Sequence, residues 1–268
     1  MSETRSLADG RLRLDHPAEG VARLTIANPS KRNALDHAIL DGIAETVGAL
    51  RDARCLVLTG EGPVFSAGYD IGSLPREEFA RAAEELVAHP FHVALQALDD
   101  YAFPAVAALN GHAIGGGLEL AVACDLIVAS EDAVVGMPPA KLGLIYSHTG
   151  LRRFVDAIGA PRTRELFHVG RNVPAALARE WGLVTEVVPA RVLAGRGVEL
   201  AAEVAANAPL ALQGNKRIIR ELVTAEGALD EATARELIEL RESCFQTEDF
   251  FEGVRAFAEK RRPEWRGR

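Results

Sequence analysis

Apolar and polar residues alternate in several short stretches of the first half of the chain. Residues 12–14 and 22–26 follow this period of two, which predicts two half-buried strands. A helical period marks residues 33–50 and 74–98, the second interrupted by Pro90. Further apolar stretches flanked by turn residues predict strands at 55–59, 105–109, 126–128 and 134–136. Strand pairs followed by a helix therefore repeat, which predicts a spiral of sheets.

The second half of the chain has a mostly helical pattern. After Gly150 a strand is predicted only near 184–188, and amphipathic helices are predicted at 200–206, 210–222, 229–245 and 249–260. We therefore expect an α/β fold in one continuous functional domain. Its core of ββα units covers 1–205, and a C-terminal helical region covers 206–268. Such a helical layer is an expected oligomerisation surface.

Composition and charge exclude several classes of protein. The chain has 268 residues, of which 48% are hydrophobic and 25% charged, enough for a large core. A net charge of −8 argues against a nucleic-acid partner. No stretch reaches the roughly 20 apolar residues of a membrane span, so no membrane partner is expected. The polar N-terminus lacks the apolar core of a signal peptide, which favours a cytoplasmic protein.

Several motifs that identify other enzyme classes are absent. The sequence contains no Walker A loop, no GxGxxG turn, no GxSxG and no HExxH. Its cysteines lack CxxC spacing, and its histidines lack metal-ligand spacing. Nucleotide hydrolysis, dinucleotide-dependent dehydrogenation and zinc proteolysis therefore lose support, and we expect neither a metal nor a cofactor.

A run of three glycines carries the strongest chemical signal. Gly115, Gly116 and Gly117 follow a buried strand and enter an apolar helix, whose first N–H groups can stabilise an oxyanion. Glu119 is the only charged residue in 115–123 and falls on the same helical face as Gly115 and Gly116. It is a candidate for proton transfer with a raised pKa. The alternatives are a tightly packed turn and a glutamate paired with a buried cation.

A second glycine turn, FSAGYDI at 65–71, can supply another exposed N–H. Four other stretches belong to the same pattern: NPSKRNAL (28–35), NGHAIGGGLELAVACDLIVAS (110–130), WGLVTEVVP (181–189) and EDFFEGVRAFAEKRRPEW (248–265). Together they resemble the crotonase, or enoyl-CoA hydratase/isomerase, superfamily over nearly the whole chain. The resemblance implies a spiral of ββα units and a C-terminal trimerisation region, assembled as a homotrimer or a dimer of trimers.

The resemblance also implies roles for individual residues. The backbone N–H groups of Tyr69 and Gly116 match the oxyanion hole for a thioester enolate, and Glu119 matches the first of two catalytic glutamates of the hydratases. Lys31 is expected near coenzyme A phosphates, and Lys260 near the nucleotide bound to a neighbouring subunit. The matched substrate and coenzyme A positions are Lys31, Ala34, Ala67, Gly68, Asp70, Ile71, Gly115, Pro139 and Lys260.

Pro139 occupies the position of the second glutamate and cannot transfer a proton, which disfavours ordinary two-glutamate hydration. The stretch MPPAKLGLIYSHTGLRRF at 137–154 instead resembles the methylmalonyl-CoA decarboxylase branch, which has a tyrosine at the position of Tyr146. That tyrosine would orient the departing carboxylate; a packing role is the alternative. The chain departs from the branch at Tyr69, where a histidine is expected, and at Pro138, where a hydroxyl residue is expected.

We therefore expect a lyase that stabilises a thioester enolate and decarboxylates a short (methyl)malonyl-CoA-type substrate. Loss of CO₂ generates an enolate directly and needs no base to remove a carbon-bound proton. Coenzyme A is part of the substrate rather than a cofactor. Two alternatives stay open: an enoyl-CoA hydratase or double-bond isomerase that uses Glu119 alone, and a non-catalytic homologue that binds acyl-CoA or RNA.

Overall fold

Two sheets form the centre of the protein in this computed structural model, which describes residues 4–70, 90–226, 231–264 and 266. In chain order the strands are β1 (Arg5–Leu7), β2 (Leu12–Ala18), β3 (Val21–Ile26), β4 (Cys55–Gly60), β5 (Val64–Ser66), β6 (Ala105–Leu109), β7 (His112–Ile114), β8 (Leu126–Ser130), β9 (Val134–Gly136), β10 (Val173–Pro174) and β11 (Glu186–Val188). The larger sheet has the order β1-β2-β3-β4-β6-β8-β11, and the smaller has the order β10-β9-β7-β5.

Parallel pairing dominates both sheets. Strands β3, β4, β6, β8 and β11 are parallel neighbours, whereas β1 and β2 extend the larger sheet by antiparallel pairing. In the smaller sheet β5, β7 and β9 are parallel, and β10 is antiparallel. Between β4 and β6, between β6 and β8, and between β8 and β11, the chain passes through the smaller sheet before it returns to the larger one. The predicted spiral of ββα units is therefore confirmed.

The helices surround these sheets. They are α1 (His37–Ala49), α2 (His92–Asp100), α3 (Gly116–Val122), α4 (His148–Arg164, with a break at Gly159), α5 (Ala175–Glu180), α6 (Leu193–Ala205), α7 (Pro209–Glu226), α8 (Glu231–Cys244) and α9 (Glu248–Ala258). Short 3₁₀ or π-helical turns cover Ala8–Gly10, Pro29–Lys31, Pro139–Leu142, Glu165–Val169 and Ala190–Val192. None of the described helices has the length and apolar character needed to cross a bilayer.

Alternation along β4 separates the core into two layers. Leu56 and Leu58 point into the larger apolar cluster, which includes the buried face of α1. Cys55 and Val57 point to the opposite face and pack in a second cluster, with α6 residues such as Ala201. Both faces of the central strands are therefore covered, as is usual for parallel sheets.

The start of α1 differs from the sequence prediction, which placed a helix from residue 33. Leu35 is extended and bridges Tyr69, and the Asp36 side chain caps α1 by accepting a hydrogen bond from the Ile39 N–H at 3.0 Å. The cap fixes the first helical residue at His37. Strands β1, β5, β7 and β10, which have two or three residues each, were not predicted.

The C-terminal helices are attached to the core by polar contacts and by close backbone packing. Lys216 of α7 donates to the carbonyl oxygens of Leu98 (3.2 Å) and Phe103 (3.0 Å) and to Asp125 (2.9 Å). In α9, Gly253 packs on the turn at 139–142, where a Cβ would lie 2.5 Å from the Leu142 carbonyl oxygen. The predicted helical region is therefore present. The proposed division at 205/206 falls between α6 and α7 and stays a prediction.

Candidate active site

The backbone at Tyr69 is held by a single bridge to Leu35. The Leu35 N–H donates to the Gly68 carbonyl at 2.8 Å, and the Leu35 carbonyl accepts from the Asp70 N–H at 2.9 Å. Because amide groups alternate in direction along extended backbone, the Tyr69 N–H points away from Leu35. Tyr69 itself lines a cavity, together with Gly68 and Gly116.

Gly68 brings this segment against the start of α3. Its φ is +90°, and a Cβ at this position would lie 2.8 Å from the Ile114 carbonyl oxygen and 3.3 Å from the Gly116 nitrogen. A side chain here would therefore combine backbone strain with a collision. The absence of a side chain lets the Tyr69 backbone lie beside Gly116.

The glycine run positions the first N–H groups of α3. The Gly115 N–H donates to the Gly136 carbonyl of β9 at 2.9 Å, and the Gly115 carbonyl accepts from the N–H groups of Leu118 (2.9 Å) and Glu119 (3.1 Å). Gly116 is the first residue of the helix and lines the cavity. The N–H at such a position has no acceptor within its helix and carries the positive end of the helix dipole. This pair of backbone segments can stabilise a developing oxyanion.

Glu119 lies one turn further along α3 and is 3% exposed. It accepts a short hydrogen bond from the Tyr146 hydroxyl. Gly150 leaves room for both, since a Cβ there would lie 2.6 Å from Tyr146 Cε1 and 2.8 Å from Glu119 Oε1. Burial raises the pKa of Glu119 to about 7, although the Tyr146 hydrogen bond and the charge of Arg153 lower it. A pKa near neutrality suits a group that gains and loses a proton.

Tyr146, rather than Glu119, faces the cavity. Both Tyr146 and Tyr69 line it, whereas Glu119 is not among the lining residues. Burial raises the pKa of Tyr146 well above its ordinary value, and hydrogen bonds with Glu119 and Tyr69 raise it further. The tyrosine hydroxyl therefore stays protonated. The sequence predicted both Glu119 and Tyr146 as catalytic but not that one would lie behind the other.

The cavity has a volume of about 600 Å³. Its wall contains most of the predicted substrate and coenzyme A positions: Lys31, Ala34, Ala67, Gly68, Asp70, Gly115 and Pro139. Lys31 pairs with Asp70 at 2.5 Å. Pro139 is buried at the start of a 3₁₀ turn, so the position of the second hydratase glutamate carries an apolar ring.

Two predicted positions are not part of this wall. Lys260 is exposed beyond the end of α9, and it does not line the cavity of its own chain. Ile71 lies outside the described residues.

Other lining residues were missed from the sequence. Arg32 and Lys141 add positive charge to the wall. Arg32 follows the predicted position Lys31 in the sequence, and Lys141 comes two residues after the predicted position Pro139. The C-terminal region adds apolar lining residues: Phe245, Phe250, Val254 and Phe257. Three of these recur at helical spacing, so their shared face was detectable. Their place against the cavity was not, because it depends on how α9 packs.

Comparison with known proteins identifies the family of this chain. The family model described as enoyl-CoA hydratase/isomerase matches residues 16–268. The chain belongs to this family. The superfamily membership and fold class expected from the sequence are therefore confirmed.

Relatives within the family have different reactions in their names. The 2,3-dehydroadipyl-CoA hydratase of Escherichia coli (strain K12) is 33% identical over 251 residues, which cover 92% of this chain and 96% of that protein. The carnitinyl-CoA dehydratase of Proteus mirabilis (strain HI4320) is 33% identical over 255 residues, covering 91% and 94%. A methylmalonyl-CoA decarboxylase solved with 2S-carboxypropyl-CoA has a TM-score of 0.88 and 25% identity, with 96% of this chain and 98% of that chain covered.

Proposed function

We propose that this family member is an acyl-CoA lyase that releases CO₂ from a short carboxylated thioester of the (methyl)malonyl-CoA type. One observation carries the proposal: in the part of the chain that the structure describes, the Tyr146 side chain lines the cavity and Glu119 does not. Glu119 lies behind Tyr146, and Pro139 replaces the second glutamate. Among the described lining residues Asp70 is the one carboxylate, and it is paired with Lys31.

The proposed reaction begins with the thioester oxygen bound to the N–H groups of Tyr69 and Gly116. The bond from the α-carbon to the substrate carboxylate breaks, its electron pair enters the enolate, and CO₂ leaves. The two N–H groups stabilise the negative charge on the enolate oxygen. While the substrate carboxylate is present, the Tyr146 hydroxyl turns its proton from Glu119 to this carboxylate and so orients it. No cofactor is required.

Charge at the cavity wall fits the coenzyme A part of the proposed substrate. Lys31, Arg32 and Lys141 provide cationic groups for its phosphates. Apolar side chains of α9 also line the cavity. The structural likeness to a methylmalonyl-CoA decarboxylase is consistent with this proposal.

The experiment that tests the proposal measures CO₂ release from methylmalonyl-CoA, ethylmalonyl-CoA and malonyl-CoA. Release from at least one of the three is expected, with formation of the shortened thioester. No release from any of them would overturn the proposal. Tight acyl-CoA binding by calorimetry without any product from a broad thioester panel would instead indicate a binding homologue.

Hydration or isomerisation of an enoyl-CoA is the second candidate. It is supported by the names of the curated relatives and by the buried carboxylate of Glu119. Such an enzyme would use Glu119 as its only carboxylate. Hydration of crotonyl-CoA can be measured as a loss of absorbance. Hydration by the native protein that disappears in Glu119→Gln would favour this candidate.

We also propose that the chain forms a homotrimer, or a dimer of trimers, through α7. This helix keeps an apolar face exposed in the single chain: Leu210 (84% exposed), Ile218, Ile219, Leu222 and Val223. Such a patch is typical of a surface covered by a partner. Sedimentation should show an oligomer for the native chain and dissociation for Ile219→Glu; a native monomer would contradict the proposal.

A further inference from the structure

The Tyr69 side chain has a defined place above the glycine run. If Gly116 carried a Cβ, that atom would lie 2.9 Å from both Cε1 and Cζ of the Tyr69 ring. Phe91, which is buried, packs edge-on against the same ring with centroids 4.9 Å apart. The phenol is therefore fixed over the residue whose N–H is proposed to bind the thioester oxygen.

Tyr69 is also hydrogen-bonded to Tyr146, which is hydrogen-bonded to Glu119. A tyrosine hydroxyl has one proton to donate. While Glu119 is ionised, the proton of Tyr146 goes to Glu119 Oε2, so the Tyr146 oxygen accepts from Tyr69. When Glu119 is neutral both directions reverse: Glu119 donates to Tyr146 and Tyr146 donates to Tyr69, which leaves the Tyr69 proton for the cavity. The three side chains thus form a hydrogen-bonded series that connects a buried carboxylate to the cavity.

We propose that the Tyr69 hydroxyl is the catalytic acid that protonates the α-carbon of the enolate, and that Tyr146 and Glu119 replace the proton it gives. The α-carbon is bonded to the carbonyl carbon whose oxygen Gly116 holds, which places it next to the Tyr69 ring. The inference rests on the proposed enolate chemistry of this cavity. It does not require that the enolate arises by loss of CO₂.

The O–H bond of Tyr69 breaks as the new C–H bond forms at the α-carbon, using the electron pair of the enolate. The Tyr69 oxygen takes the proton of Tyr146, and Tyr146 takes the proton of a neutral Glu119. The carboxylate left on Glu119 then regains a proton from water. Since burial raises the pKa of Glu119 to about 7, its neutral form is available at neutral pH.

The reverse of this step can be measured without any carboxylated substrate. Propionyl-CoA incubated with the protein in D₂O should gain deuterium at its α-carbon, detected by mass spectrometry. Tyr69→Phe keeps the ring but removes the acid, so exchange should fall by about 10²-fold, as expected for loss of a general acid–base group. The Kd for propionyl-CoA, measured by calorimetry, should change only slightly.

Three further variants make the result specific. Tyr146→Phe should also suppress exchange, because it interrupts the series. Tyr69→His restores a group that carries a proton, so exchange should recover in part. Tyr101→Phe is the matched control, since the Tyr101 hydroxyl donates to the Ala53 carbonyl in the core at 2.9 Å and should leave exchange unchanged.

The proposal is overturned if Tyr69→Phe exchanges deuterium as fast as the native protein. It is equally overturned if the native protein binds propionyl-CoA and shows no exchange. Neither result depends on decarboxylation. A protein that exchanges deuterium but releases no CO₂ would contradict the proposed lyase reaction and leave the assignment of Tyr69 intact.

Discussion

Two sides of the cavity are built by different means. The proposed oxyanion side consists of backbone, with Gly68 and Gly116 setting the positions of two N–H groups. The proposed acid side consists of side chains: Tyr69 and Tyr146 line the cavity, and Glu119 lies behind Tyr146. Backbone donors do not depend on which side chain their residue carries, so Tyr69 can replace a histidine without loss of its N–H. We infer that the first side sets the enolate chemistry of the family and that the second decides the reaction.

The largest effect is expected on the oxyanion side. In Gly68→Ala the new Cβ would lie 2.8 Å from the Ile114 carbonyl oxygen, which should displace the Tyr69 N–H. Removal of one oxyanion donor typically lowers kcat by roughly 10²–10³-fold. The control is Gly62→Ala, which has a φ of +75° but whose Cβ would meet no atom closer than 3.6 Å. An active Gly68→Ala variant would show that the backbone is not the donor.

On the acid side, Tyr146→Phe and Glu119→Gln should each lower turnover by about 10²-fold. Because the two residues act in one series, the double variant should be no slower than the slower single variant. The three turnover numbers, measured with the same thioester, test this. If the double variant lost turnover by the product of the two single-variant factors, the two residues would not act in one series. Tyr101→Phe again serves as the control for loss of a buried hydroxyl.

The pH dependence of turnover separates the two candidate reactions. A series that delivers a proton needs neutral Glu119, so decarboxylation to the protonated product should slow by about tenfold per pH unit above about 7. A hydratase that uses Glu119 as a base needs the carboxylate, and its rate should rise over the same range. In both cases the dependence should disappear in Glu119→Gln. A native profile that stays flat through pH 7 would contradict both mechanisms.

A smaller effect is expected on stability. The pKa of Glu119 is raised from 4.5 when unfolded to about 7 when folded, so between these values the folded state binds more protons than the unfolded state. The contribution of Glu119 to the free energy of unfolding is fully present below about pH 4.5. It is lost as pH rises through about 7, by up to ~3 kcal/mol. Urea unfolding of the native chain and of Glu119→Gln should therefore diverge with rising pH, with the variant favoured. Parallel curves would contradict a raised pKa.

Much of the oxyanion side was predictable from the sequence, whereas the order of residues on the acid side was not. Gly68 and Gly116 are local signals, because a turn that needs a glycine shows it in the sequence. Tyr146 is 27 residues from Glu119, and their hydrogen bond depends on the packing of α4 at Gly150. The helical spacing of Phe257 and its neighbours on α9 was also detectable in the sequence. Their place at the cavity was not, because it depends on how α9 packs.

The most direct measurement is a crystal structure with a non-cleavable ketone analogue of propionyl-CoA. We expect the ketone oxygen to lie about 2.7–3.1 Å from the backbone nitrogens of Tyr69 and Gly116. We also expect the Tyr69 hydroxyl to be the group nearest the α-carbon. An oxygen bound elsewhere, or a Glu119 carboxylate in direct contact with the α-carbon, would contradict the proposed site.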